Sequence, residues 1–73
     1  MSGPHILIVG SGSAGQRHAR NLAELGCRIS CVDPRQDRRE ELSGEVPVED
    51  AYSGLTEALG AAPGLQGAVV ASP

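Results

Sequence analysis

Six consecutive residues, Gly10-Ser11-Gly12-Ser13-Ala14-Gly15, carry the pattern G-x-G-x-x-G. Its chemistry is recognition of phosphate by backbone. Gly10 permits a tight turn, Gly12 lets the main chain approach a pyrophosphate without a Cβ in the way, and Gly15 lets the following helix pack closely on a strand. The free N–H groups and positive dipole end of that helix would face the anion. A second candidate is Asp33, 18 residues after the last glycine, close to the ~20 at which an acid accepts the hydroxyls of an adenosine ribose. A carboxylate there suits NAD and opposes the 2′-phosphate of NADP, whereas Arg35 just beyond offers that phosphate a cation. NAD is favoured and NADP stays open. Both features also have plain structural readings: a strand-to-helix turn that binds nothing, and an Asp33 that only N-caps a helix opening at Pro34.

The elements around these residues supply the context that a lone glycine motif lacks. His5 to Val9 is a short apolar run without alternation, the pattern of a strand buried on both faces of a parallel sheet. From Ala14 to Leu25 the helical spacing of Ala14, His18, Leu22 and Leu25 predicts a helix, with Gly26 placed to stop it. Arg28 to Val32 reads as a second strand, ended by Asp33-Pro34. A charged helix is expected from Pro34 to about Leu42, with Asp33 as N-cap, Gln36 at the third position and Ser43-Gly44 closing it. Val46-Pro47-Val48 reads as a very short edge strand. Asp50 is placed to cap a third helix, with Tyr52, Leu55 and Leu59 on one face and Gly60 and Pro63-Gly64 as breakers. Gly67 to Ala71 completes a fourth strand.

The resulting βαβαβαβ order implies an α/β fold with a parallel, doubly wound sheet. Right-handed crossovers give strand order 3-2-1-4 in the Rossmann layout, with the first two helices on one face and the third on the other. Residues 1–73 read as the N-terminal half of a dinucleotide-binding Rossmann domain, truncated after strand 4. Strand 4 is then an edge and one face is thinly covered, so a homo-oligomer through that edge or face is a further expectation.

Composition narrows the partners. The 73 residues carry six Arg, no Lys and nine acidic residues, for a net charge of −3, the wrong sign for a nonspecific nucleic-acid groove. No apolar run is long enough to span a bilayer. Met1 to His5 lacks the basic start and cleavage site of a signal peptide, so a cytoplasmic location is expected. Cys27 and Cys31 are spaced C-x3-C, and no ligand-pair spacing suggests a metal site. Cys31 reads as a buried strand residue and Cys27 as a loop thiol. His5 reads as solvated, His18 as packed on the inner side of the first helix, Tyr52 as core, and the Arg35 to Glu41 run as a solvated helix face.

The stretch Ile6 to Leu22 resembles the opening of the Gfo/Idh/MocA oxidoreductases, whose members often show G-x-G-x-x-G-x-x-H, here Gly10 through His18, followed by Asn21-Leu22. The tail is similar as well, with Ala-Val-Val-Ala-Ser-Pro where that family commonly has Val-x-Ile-Ala-Thr-Pro. The resemblance implies that Gly10, Ser11, Gly12, Ser13, Ala14 and Gly15 line the pyrophosphate, Asp33 the ribose, and Ala71, Ser72 and Pro73 the loop beside the cofactor. It implies an NAD(P)-dependent parent acting on a sugar, inositol or related polyol. The family's catalytic lysine has no counterpart here, so no catalytic residue is assigned and the chain alone is expected to be inactive. The alternative is a regulatory module that senses NAD, NADH or AMP without chemistry.

Overall fold

The computed structural model describes residues 3–61 and 64–71; Pro63, Ser72 and Pro73 lie outside them. Strand β1 (His5–Val9) runs between β2 (Arg28–Val32) and β4 (Gly67–Val70), and β3 (Val48–Tyr52) lies beyond β2. All pairings are parallel, in the order β3-β2-β1-β4, as the alternation of elements implies. Neighbours on a strand point to opposite faces, yet Leu7 and Ile8 are both fully buried. Both faces of β1 are therefore covered. Ile8, Ile29 and Cys31 pack with Ala19 of helix α1 (Ser13–Glu24) and Leu42 of helix α2 (Gln36–Glu45). Leu7 and Val32 pack with Ala58 of helix α3 (Leu55–Ala61) on the other side.

The rotation of α1 differs from the sequence expectation. Its buried residues are Gly15 and Ala19, with Leu22 and Ala23 packed partly beneath, whereas His18 is exposed and Leu25 is 78% exposed. A Cβ built on Gly15 would overlap the Gly10 carbonyl oxygen, so the glycine itself must face the sheet. That close approach sets the helix's rotation, and the residue four positions on follows it inward. The C-terminus ends as expected at Gly26, with φ of 89°. Gly26 N–H donates to Ala23 O at 3.0 Å and Cys27 N–H to Leu22 O at 3.0 Å, the paired bonds of a Schellman turn.

Several boundaries also move. Helix α2 opens at Gln36 with Arg35 as its N-cap; Asp33 does not cap it, because its carboxylate oxygens accept the Ser11 and Arg35 N–H groups. The helix continues through Ser43 and Gly44 to Glu45. Strand β3 starts after Pro47 rather than around it, since a proline contributes no ladder donor. Asp50 and Tyr52 consequently belong to β3, and Tyr52 packs partly on the α3-side core. Glu49 and Asp50 are exposed on this edge strand, and the Arg28 guanidinium donates to both Glu49 oxygens, at 2.6 and 2.8 Å. In α3 the buried residue is Ala58, while Leu55 and Leu59 are exposed. Strand β4 ends at Val70, one residue early, and Val70 is 73% exposed at the sheet edge.

His5 is not solvated. It opens β1, is buried, and its Nε2 lies 2.7 Å from the hydroxyl of buried Ser30. The two polar side chains satisfy each other beneath the thinner face. The thiols sit as the sequence implies, with Cys31 buried and Cys27 half-buried.

Leu42 is the buried residue of α2, so Leu42→Ala should cost about 2–5 kcal/mol in urea unfolding. Gly44, in the same helix, has no atom within 4 Å of the position a Cβ would take, and Gly44→Ala should stabilise by about 0.5–1 kcal/mol in the same assay.

Candidate nucleotide-binding site

The C-terminal ends of β1 and β2 bring the glycine turn and Asp33 together. Gly10 reverses the chain with φ of 98°, and its N–H donates to Val32 O at 2.8 Å, tying the turn to the end of β2. Gly12 then serves as the N-cap of α1 without a side-chain cap, and no acidic residue stands in the first turn. The opening N–H groups of a helix have no intrahelical partners, so this end presents donors and positive potential to an incoming anion.

Asp33 forms the opposite wall. Only 7% exposed, its carboxylate accepts the Ser11 N–H at 2.8 Å on Oδ2 and the Arg35 N–H at 2.9 Å on Oδ1. It thereby joins the β1–α1 and β2–α2 loops. Each carboxylate oxygen has two lone pairs, so one on each remains for a ligand. The backbone of Asp33 is fixed too: its N–H donates to Tyr52 O at 3.0 Å, and its carbonyl accepts from the Arg39 guanidinium at 2.5 Å.

Between these walls lies a cleft of about 460 Å³, lined by Gly10, Gly12, Ser13, Ala14, Asp33, Arg38 and Ala71. That volume is in the range of small-molecule and cofactor sites. Ala71 reaches it because its N–H donates to Val9 O at 2.8 Å, extending the β1–β4 ladder by one bond.

Not every expected residue meets the cleft. Ser11 is fully buried, its N–H on Asp33 and its hydroxyl without a hydrogen-bond partner among the described residues. Gly15 is buried against the Gly10 carbonyl. The Arg35 guanidinium binds Asp37, at 2.9 and 3.3 Å, and holds that carboxyl below its usual range. Arg35 lines a second, more open depression between α1 and α2 rather than the cleft. Ser72 and Pro73 fall outside the described residues. Conversely, Arg38 belongs to the cleft, although the sequence places it only within a charged helix face. Its location on the helix after the second strand is legible in the residues, but its direction depends on where α2 begins. Among the described residues no cluster of His, Cys, Asp and Glu is arranged to hold a metal ion, and no helix is long and apolar enough to cross a membrane.

A parallel sheet in the order 3-2-1-4, a glycine turn entering an uncapped helix and an acid at the end of β2 define a Rossmann-like nucleotide-binding arrangement. The family model NAD_binding_7, described as "Putative NAD(P)-binding", matches residues 1–71, and the chain belongs to this family. No curated protein and no solved structure matches it.

Two consequences can be measured. Gly15→Ala sets a methyl against a backbone carbonyl and should cost about 1–3 kcal/mol, whereas Gly12→Ala meets only the movable end of Arg38 and should cost clearly less in urea unfolding. Burial pushes the Cys31 thiol up from its ordinary pKa, so at neutral pH it stays protonated. Mass spectrometry after mild alkylation should find Cys27 modified well before Cys31.

Proposed function

We propose that the cleft binds the ADP portion of a nicotinamide dinucleotide, with NAD as the favoured cofactor, and that the chain serves an oxidoreductase acting on a sugar, inositol or related polyol. The observation that carries the binding reading is that Asp33 and the uncapped N-terminus of α1 line one cleft. The pyrophosphate would lie on the N–H groups of Gly12, Ser13 and Ala14, over the turn that Gly10 and Gly15 make possible. The ribose hydroxyls would donate to the open lone pairs of Asp33. Ser11 acts behind this surface by holding Asp33, and Arg35 acts through its backbone N–H on the same carboxylate. Ala71 would border the cofactor from the end of β4.

The oxidoreductase reading rests on the resemblance of Ile6 to Leu22 and of the β4 segment to the Gfo/Idh/MocA enzymes. The cofactor, when bound, supplies hydride transfer at the nicotinamide. This chain contributes binding and orientation, since it has no Lys to act as the family's acid/base and, among the described residues, no titratable group other than Asp33 and Arg38 lines the cleft. In this reading the four strands form the first half of the Rossmann domain, and the proton-transferring residues belong to the rest of the enzyme.

Calorimetric titration tests the binding. Asp33→Ala should weaken NAD roughly ten- to hundredfold, the worth of hydrogen bonds to a charged group, and should weaken 2′-deoxyadenosine-NAD much less. Equal losses for the two ligands would remove the ribose role and leave Asp33 as a loop tie. For the reaction, this chain with NAD and a panel of polyols should yield no NADH, whereas an enzyme that carries it as the first half of its Rossmann domain should yield NADH with at least one member; failure of that enzyme to turn over any polyol while binding NAD would contradict the oxidoreductase assignment.

A further inference from the structure

An anion entering the cleft meets an unfavourable charge balance unless one side chain is counted. Asp33 brings a negative charge to the lining, and the chain carries a net −3 with no Lys. The N-terminus of α1 offers about half an elementary positive charge, whereas a pyrophosphate brings two anionic phosphates. Among the described residues that line the cleft, Arg38 is the only cation. The other arginines are occupied or elsewhere. Arg20 pairs with Glu45, Arg28 with Glu49 and Arg35 with Asp37, Arg39 donates to the Asp33 carbonyl, and Arg17 is exposed on α1 and lines neither depression.

Arg38 is half-buried, yet among the described residues its guanidinium has neither an ion pair nor a hydrogen bond, even to the Asp33 carboxylate that lines the same cleft. Its Nη1 stands over Gly12, in the space that a Cβ there would fill. Gly12 is the N-cap of α1, so this is also where a phosphate must arrive to reach the opening N–H groups of the helix. Arg38 belongs to α2 and reaches the turn from a second element. Turning its guanidinium off Gly12 breaks no bond within the protein and keeps a permanently charged fork of donors beside whatever lies on the turn.

We infer that Arg38 is the counter-cation of the pyrophosphate: its guanidinium yields the space over Gly12 to the phosphates and donates to their oxygens from the α2 side. The diphosphate is then held between the backbone of α1 and a charged side chain, not by backbone alone. This rests on the nucleotide-binding reading above and adds to it a charge-dependent hold. Arg38 also offsets the repulsion between the incoming phosphates and Asp33, which lets one cleft carry an acid for the ribose and still accept an anion. Arg35 does not serve, because its guanidinium is held by Asp37.

The test is titration of the purified protein and its Arg38→Gln, Arg38→Lys and Arg17→Gln variants with NAD and with ADP, which share the diphosphate, together with the phosphorus NMR spectrum of bound NAD. Arg38→Gln should keep the wild-type urea midpoint, since it removes no partner within the protein, and should lose NAD and ADP by a similar factor of about ten to a hundred. Arg38→Lys, which keeps the charge but not the planar fork, should lose less. Arg17→Gln removes the same charge away from the cleft and should change either affinity less than about threefold. Between about 0.1 and about 1 M NaCl, over which the screening length falls from ~10 to ~3 Å, the wild type should lose affinity more steeply than Arg38→Gln. The pyrophosphate resonances of bound NAD should move between the wild type and Arg38→Gln. Unchanged or tighter binding by Arg38→Gln, loss of NAD without loss of ADP, an equal loss in Arg17→Gln, or pyrophosphate resonances that do not move would each overturn the inference while leaving the cofactor site intact. Failure of the folded wild type to bind NAD or ADP would instead refute the underlying site, and this inference with it.

Discussion

The site depends on one carboxylate. Asp33 lies almost wholly out of solvent, where an unpaired charge would be expensive, and it is satisfied by two backbone N–H groups from different loops, those of Ser11 and Arg35. These bonds hold the glycine turn beside the end of β2 and displace the start of α2 to Gln36. They also leave each carboxylate oxygen with acceptor capacity, on a residue that lines the cleft. The same group therefore shapes the cleft and, in the proposed reading, accepts from the ribose, which is why its removal has to be judged with ligands that do and do not use the ribose hydroxyl.

The sheet is organised by an equally local constraint. Gly15 lies against the Gly10 carbonyl, so α1 approaches β1 through a glycine and then through Ala19. Small residues bring the helix close enough for its N-terminus to stand at the sheet's end, where the phosphate-binding geometry needs it. The opposite face is built more sparsely, from Leu7, Val32 and Ala58, with His5 and Ser30 satisfying each other below.

Much of this was legible in the residues. The bounds of β1 and β2, the stop at Gly26 and the strand order follow from continuous apolar runs, a left-handed glycine and right-handed crossovers. The glycine turn and Asp33 converge as their spacing implies. What the residues hid were effects of tertiary contact. Apolar periodicity put His18 inside, but the required approach at Gly15 turns it out. Asp50 resembles a helix cap, yet cross-strand pairing of Glu49 with Arg28 draws the segment into β3. Arg38 was concealed in a charged run because its orientation follows from the later start of α2, which Asp33 imposes from outside the helix.

Amide NMR of the protein during titration with NAD probes the central claim most directly, since it reports both the ligand's position and the state of the Asp33 bonds. The account predicts shifts concentrated at Gly10, Gly12, Ser13, Ala14, Asp33 and Ala71, with the Ser11 and Arg35 amides slow to exchange before ligand is added. Shifts centred on the His5 end of the sheet, or rapid exchange of both amides in the folded protein, would contradict it.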